Sequence, residues 1–150
     1  MTDTPLKGRR LGVDIGKARV GVAWSDPDGI LAAPLETVPR DNSDTTVPSD
    51  IGRLAELVDE HLIVEVVVGL PVRLSGEESF AAAEARAYAD RLARAIAPIP
   101  VRLIDERLTT RVASRRLSER GVKGRRQRAV VDQAAAVEIL QLWLEKQRKA

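Results

Sequence analysis

Three carboxylates stand where an acidic side chain is costly unless it has a partner. Asp14 lies near the end of an apolar run, LGVDI at 11–15, that reads as a buried strand. Strand alternation puts Leu11, Val13 and Ile15 on one face and Gly12, Asp14 and Gly16 on the other, so the acid faces an open approach between glycines. Burying its charge alone would cost several kcal/mol, which calls for a cation or strong donors nearby. Its plainer role is to accept hydrogen bonds from the Gly16–Lys17 turn amides. Asp105 and Glu106 follow directly on a strand at 101–104, at the carboxyl end where open α/β sheets place ligands. Alternation sends them to opposite faces, so one of the two enters a site; simple strand-end polarity, with Thr109 capping the next helix, is the alternative. Asp132 sits in the first turn of the last helix, where it complements the helix dipole. It also heads the stripe Asp132, Ala136, Ile139 or Leu140, and Trp143, the face that packs on the sheet, and a purely dipolar Asp has no need to be there.

Few chemistries suit such a set. The 150-residue chain has no cysteine and one histidine, which excludes thiolate zinc sites, disulfides and cysteine nucleophiles and disfavours a histidine metal site or a Ser-His-Asp triad. His61 falls at a helix end, where capping or surface exposure accounts for it. Carboxylate oxygens suit Mg²⁺ or Mn²⁺, and a pair of such ions about 3.5–4 Å apart can activate water and stabilise the leaving oxygen of a phosphodiester.

The charge distribution names the same substrate class. The net charge is only +2, yet nine basic residues (Arg107, Arg111, Arg115, Arg116, Arg120, Lys123, Arg125, Arg126, Arg128) face Glu119 alone between 107 and 128. That window carries +8 and leaves −6 on the rest of the chain. A basic segment between two of the acids suits a polyanion, although a solvated arginine-rich helix face would look similar. Trp24, Phe80, Tyr88 and Trp143 are too scattered for a base-stacking platform. Nucleic acid held by its phosphates is the expected partner.

The elements that must position these groups read as βββ-α-β-α-β-α-α. RVGVAWS at 19–25 alternates and ends at the turn Asp26-Pro27-Asp28-Gly29; a third strand at 30–38 contains Pro34 and so belongs at an edge or a bulge. A polar loop at 39–50 leads to a helix capped by Ser49 or Asp50, with Ile51, Leu54, Ala55, Val58 and Leu62 on its core face. IVEVVVG at 63–69 predicts a central parallel strand. A helix from Ser75 or Gly76 to about Ala97 carries Ala81, Ala85, Tyr88, Leu92 and Ala95 or Ile96 inward. Helices at 109–120 and from Ala129 to about Lys146 flank a basic loop at 121–128. The expectation is an α/β fold with a mixed five-stranded sheet, three antiparallel strands and then parallel ones, flanked by helices. Residues 1–10 and 147–150 are expected as tails around one domain at 11–146. The start MTDTPLKGRR has no signal-peptide core, and no run approaches the roughly 20 apolar residues of a membrane span, so a cytoplasmic protein without a membrane partner is expected.

The blocks LGVDIGKARVGVAWSD, VVVGLPVRLSGEES, IDERLTT and VDQAAAVEIL, in this order from Leu11 to Leu140, resemble the bacterial YqgF/RuvX family. The resemblance implies an RNase H-like fold related to the RuvC resolvase. It implies a nuclease maturing the 5′ end of pre-16S rRNA, with Holliday junction resolution as a second activity. It also makes Asp14, Glu106 and Asp132 the metal-binding catalytic set, with Asp105 the challenger to Glu106. Lys17, Arg107, Thr109 and Thr110 match the family pattern near the site, while Arg111, Arg115, Lys123, Arg125, Arg126 and Arg128 supply the basic contacts to pre-rRNA or branched DNA. DIGKARVGVA also resembles the first phosphate loop of actin-like kinases, but those close two such domains around ATP and 150 residues hold one. A non-catalytic RNA- or ribosome-binding module is the other rival; it needs the basic segment but not the acids. Symmetric junction cutting favours a homodimer; otherwise a monomer suffices.

Overall fold

The computed structural model describes residues 7–43, 45–71, 75, 77, 79–106 and 125–149. Strands β1 (Arg9–Ile15), β2 (Arg19–Ser25) and β3 (Ala32–Pro39) form the antiparallel meander. Helix α1 (Ser49–Glu60) crosses to β4 (Ile63–Leu70), which lies parallel to β1, and α2 (Phe80–Ile96) crosses to β5 (Val101–Asp105), parallel to β4. The last helix, α3, spans Arg125–Lys149. The five-stranded sheet runs β3-β2-β1-β4-β5, so β1 and β4 are interior and their apolar runs are covered on both faces. This is the mixed α/β architecture expected.

One face of the sheet packs Leu11, Val13, Val20, Val22, Val66 and Val68 against α1 and α2, through Leu54, Val58, Tyr88 and Leu92 among others. The other packs Ala23, Val67 and Ile104 against Ala136, Ile139, Leu140 and Leu144 of α3. Pro34 sits as its chemistry demands: β3 is an edge strand, and its register with β2 slips between Val22 and Ala23, where Glu36 and then Pro34 are the partners.

Several boundaries and faces differ from expectation. Strand β1 begins two residues early at Arg9, and the Arg10 amide donates to Ser25 Oγ at 2.9 Å. Leu62, expected in the core, is 80% exposed. Helix α1 ends at Glu60, and Leu62 has a positive φ of 52° in the turn to β4; Leu57 is buried instead. Helix α2 starts at Phe80, later than expected, with Ser79 at its N-cap; Ala82 and Ala89 join its buried face, while Ala81 and Ala95 are exposed. Helix α3 starts four residues before Ala129, because RRQR contains good helix formers and no breaker after Gly124, so Asp132 lies in its third turn and not, as expected, in its first. The helix expected at 109–120 lies outside the described residues.

Candidate active site

The site grows from a row of residues across the sheet. Asp14 is paired with Gly21 of β2, which is paired with Thr37 of β3. On the other side Val13 pairs with Val68, so the next step of the register sets Asp14 beside Gly69, itself paired with Ile104. All five positions face α3. Gly12, two residues before Asp14 on the same face, shows how close that helix comes: a Cβ there would lie 2.7 Å from Leu140 Cβ and 2.9 Å from the Ala136 carbonyl oxygen. The approach expected to be open at Gly12 is thus filled by α3.

Each glycine beside Asp14 lies beneath another of the sequence-selected acids. A Cβ on Gly21 would collide with the backbone carbonyl of Asp132. A Cβ on Gly69 would stand 2.5 Å from Glu106 Oε1 and equally close to Ile139 Cδ1. Asp14 is 6% exposed and Glu106 is 7% exposed, so two acids are held nearly out of water on one face, flanking β4. Asp105 goes the other way. Its partner Leu70 packs with Ala82 and Ala85 of α2, on the opposite face from Asp14. Between the two adjacent acids, the sheet register therefore gives the α3 side to Glu106.

Asp132 joins this face through a different contact. Its Oδ2 accepts a hydrogen bond from Arg19 Nε at 2.7 Å, across 113 positions of sequence. Arg19 opens β2 and shares the face of Gly21 and Ala23; the pair is partly open, with side-chain exposures of 34% and 21%. One residue on, Gln133 Nε2 donates to Thr37 Oγ1 at 2.9 Å, which ties the same turn of α3 to the edge strand. Among the described residues no group of three or more His, Cys, Asp or Glu side chains gathers closely enough to hold a metal ion. The donor chemistry of Asp14 and Glu106 still fits a hard, oxygen-seeking cation. Asp132 fits it by type, but its carboxylate is engaged by a guanidinium.

The turn after Asp14 is braced from below. The Gly16 amide donates to the Arg19 carbonyl at 2.9 Å, so this expected donor to Asp14 is engaged within the turn. The Arg40 amide holds the Ala18 carbonyl at 2.9 Å, and Arg40 Nη1 holds that of Gly16 at 2.9 Å. Arg40 is in turn paired with buried Asp50 at 3.8 Å and lies over the Tyr88 ring. Lys17 stands exposed at the tip. Arg107, Thr109, Thr110, Arg111, Arg115 and Lys123 lie outside the described residues, and Arg125, Arg126 and Arg128 belong to the first turn of α3.

Sequence reasoning missed Arg19, Gly21 and the approach over Gly69. The signal was present: in RVGVA the arginine and the glycine alternate onto one face, and a glycine inside a strand marks a close approach of another group. His61 has a packing role, its ring edge-on to Trp24 at 4.7 Å, and Tyr88 is a core residue.

Comparison with known proteins gives this face its context. The family described as RuvX: Holliday junction resolvase matches residues 8–146. A protein of Rhodococcus erythropolis that carries the provisional name pre-16S rRNA nuclease is 57% identical over 148 residues, covering 99% of this chain and 84% of the relative. One of Mycolicibacterium smegmatis, under the same name, is also 57% identical over 148 residues, covering 99% and 86%. Among solved structures, Thermus thermophilus RuvC in complex with a Holliday junction substrate superposes with a TM-score of 0.56 over 95% of this chain and 96% of that one. At 15% identity that match speaks for the fold alone, which is RNase H-like.

Proposed function

The chain belongs to the RuvX family of Holliday junction resolvases, and from that premise we propose a divalent-cation-dependent nuclease that hydrolyses phosphodiester bonds in maturing the 5′ end of pre-16S rRNA. The observation that supports the chemistry is the row Gly21-Asp14-Gly69, with Asp132 above one glycine and Glu106 above the other. Asp14, Glu106 and Asp132 would hold Mg²⁺ or Mn²⁺, which when bound supplies Lewis-acid polarisation of a phosphate oxygen. Asp14 and Glu106, both nearly withdrawn from water on the face that meets α3, support giving them the cation. Lys17 at the exposed turn and the basic stretch from Arg107 to Arg128 (Thr109, Thr110, Arg111, Arg115, Lys123, Arg125 and Arg126 among them) hold the phosphate backbone without reading sequence. Nucleic acid is thus the partner, and among the described residues no helix is long and apolar enough to cross a membrane.

The description of the matched family favours a second substrate, the four-way DNA junction. Symmetric cutting of a junction calls for a two-fold dimer, whereas trimming an RNA end does not. One experiment covers both. Wild type and Asp14→Asn are incubated with an end-labelled pre-16S rRNA 5′ fragment and with a labelled four-way junction, in Mg²⁺, in Mn²⁺ and in EDTA. Cleavage is expected only with metal and only by the wild type, the variant falling by at least about a hundredfold. The substrate cut faster at equal concentration is the preferred one. Equal cleavage by Asp14→Asn, or cleavage that survives EDTA, overturns the mechanism; binding of both nucleic acids with no cleavage by the wild type identifies a non-catalytic binding module.

A further inference from the structure

Among the described residues, Arg19 makes a contact at this face that opposes the proposed chemistry. Its Nε–H points at Asp132 Oδ2 at 2.7 Å, so a fixed cation already neutralises one of the three acids. The sheet explains why the pair forms. Asp132's backbone is pressed onto Gly21, and Arg19 is two residues before Gly21 on the same face, so its side chain rises beside the first described turns of α3. A guanidinium is the side chain best matched to a phosphate, with several N–H donors in one plane. Arg19 is about one-third exposed, in the strand that follows the turn carrying Lys17, so a phosphate bound at this turn can reach it.

We infer that Arg19 is a positioning residue that exchanges partners. With no substrate it occupies Asp132 and weakens divalent-cation binding; when a nucleic-acid phosphate takes the guanidinium, Asp132 is released to the cation. Cation and nucleic acid then strengthen each other's binding, and linkage requires the effect to be equal in both directions. A divalent ion is thereby held tightly only when there is a phosphodiester to act on. This rests on the reading of Asp132 as a cation ligand, and the test separates the two.

Mn²⁺ affinity is measured on the full chain by electron paramagnetic resonance of free Mn²⁺, without nucleic acid and with a phosphorothioate-backbone single strand. Arg19→Gln is expected to bind Mn²⁺ about three- to fivefold more tightly than wild type without nucleic acid, the scale of a partly exposed ion pair. Arg53→Gln removes the same charge from α1, on the other face of the sheet, without touching Asp132, and is expected to stay within about 1.5-fold because a distant, partly exposed charge is screened. The single strand should tighten Mn²⁺ binding in wild type and do so less in Arg19→Gln. In an Asp132→Asn background the Arg19 substitution should lose its effect. Arg19→Lys keeps the charge but loses the planar fork, and serves if the glutamine variant does not fold; it is expected to bind Mn²⁺ about twofold more tightly than wild type, outside the range of the control. If either Arg19 variant matches Arg53→Gln while Asp14→Asn abolishes Mn²⁺ binding, the exchange is wrong and the nuclease reading stands. If wild type binds no Mn²⁺ that Asp14→Asn removes, with or without the strand, both fail.

Discussion

Gly21→Ala is expected to damage stability and cleavage together, and the structure gives the size of both. The added Cβ would collide with the Asp132 carbonyl oxygen and lie 2.5 Å from its carbonyl carbon. The obstacle is helix backbone, which cannot rotate aside, so that end of α3 must lift by roughly 1 Å to restore van der Waals contact. Overpacking of this kind costs about 1–3 kcal/mol. The lost freedom of the unfolded chain gives back about 0.4–1 kcal/mol, leaving a net loss of about 1–2 kcal/mol. In a domain of this length each kcal/mol lowers Tm by about 2–4 °C, so a fall of about 2–8 °C is expected in a thermal melt. Moving Asp132 by the same distance relative to Asp14 should cost about a hundredfold in cleavage rate. Gly52→Ala is the control of opposite sign. A Cβ there meets nothing within 4 Å, and the position lies within α1, so alanine should stabilise by about 0.5–1 kcal/mol and leave cleavage unchanged. A Gly21→Ala protein that melts with the wild type and cleaves at its rate would refute the close approach of α3 to β2, and with it the geometry of the site.

Three further outcomes follow from the support beneath the site. Asp50→Ala removes a carboxylate that is 1% exposed from Arg40, whose guanidinium keeps Glu84 at 3.7 Å and the Gly16 carbonyl, and is expected to cost about 1.5–3 kcal/mol in urea unfolding; a loss below about 1 kcal/mol would show that these remaining partners suffice. Two Arg53 hydrogen bonds at 2.7 and 2.8 Å hold the Glu36 carboxyl below its ordinary value, and the Leu31 amide does the same for Asp26. Folded values below unfolded ones mean stability that is present above about pH 4 and lost as pH falls through the folded values; Glu36→Gln should flatten that acid limb of Tm against pH, and an unchanged limb counts against the assignment. Burial first, and then the Asp50 charge, push the Tyr88 hydroxyl far above its ordinary value. Stability tied to Tyr88 is therefore complete below about pH 10 and lost above it, and phenolate absorbance from this lone tyrosine should appear only as the protein unfolds; a smooth titration near pH 10 by folded protein would contradict its burial.

Much of this was legible in the sequence, for physical reasons that differ by element. The meander, the central IVEVVV strand and the edge position of β3 follow from alternation, β-branched runs and one proline, all local signals. Asp14 was legible because an acid inside an apolar strand needs an explanation. Asp105 and Glu106 were legible only as a pair. Alternation separates their faces but cannot say which face α3 covers, and that depends on β5 lying beside β4 with Gly69 opposite Ile104. Leu62 was misread because helical periodicity does not register where a helix stops; two residues past Glu60 a positive φ turns it to solvent. Arg19 could not be paired with Asp132 from spacing at all, since 113 residues and a crossing from sheet to helix separate them.

The glycines link these observations. An RNase H-like sheet can place an acid in its central strand, but nearby carboxylates come into range only if what carries them descends onto the strands on either side. Side chains at positions 21 and 69 would keep α3 and the segment after β5 at ordinary packing distance from Asp14. Their absence lets the backbone at Asp132 and the side chain of Glu106 settle directly on the sheet. The same missing methyl groups set the Asp132 backbone and the Glu106 side chain on the strands that flank Asp14. Arg19 answers the Asp132 charge in this arrangement through its 2.7 Å hydrogen bond. On the proposed reading a divalent ion takes Asp132 once a nucleic-acid phosphate has drawn Arg19 away, so the partner of Asp132 would report whether substrate has arrived.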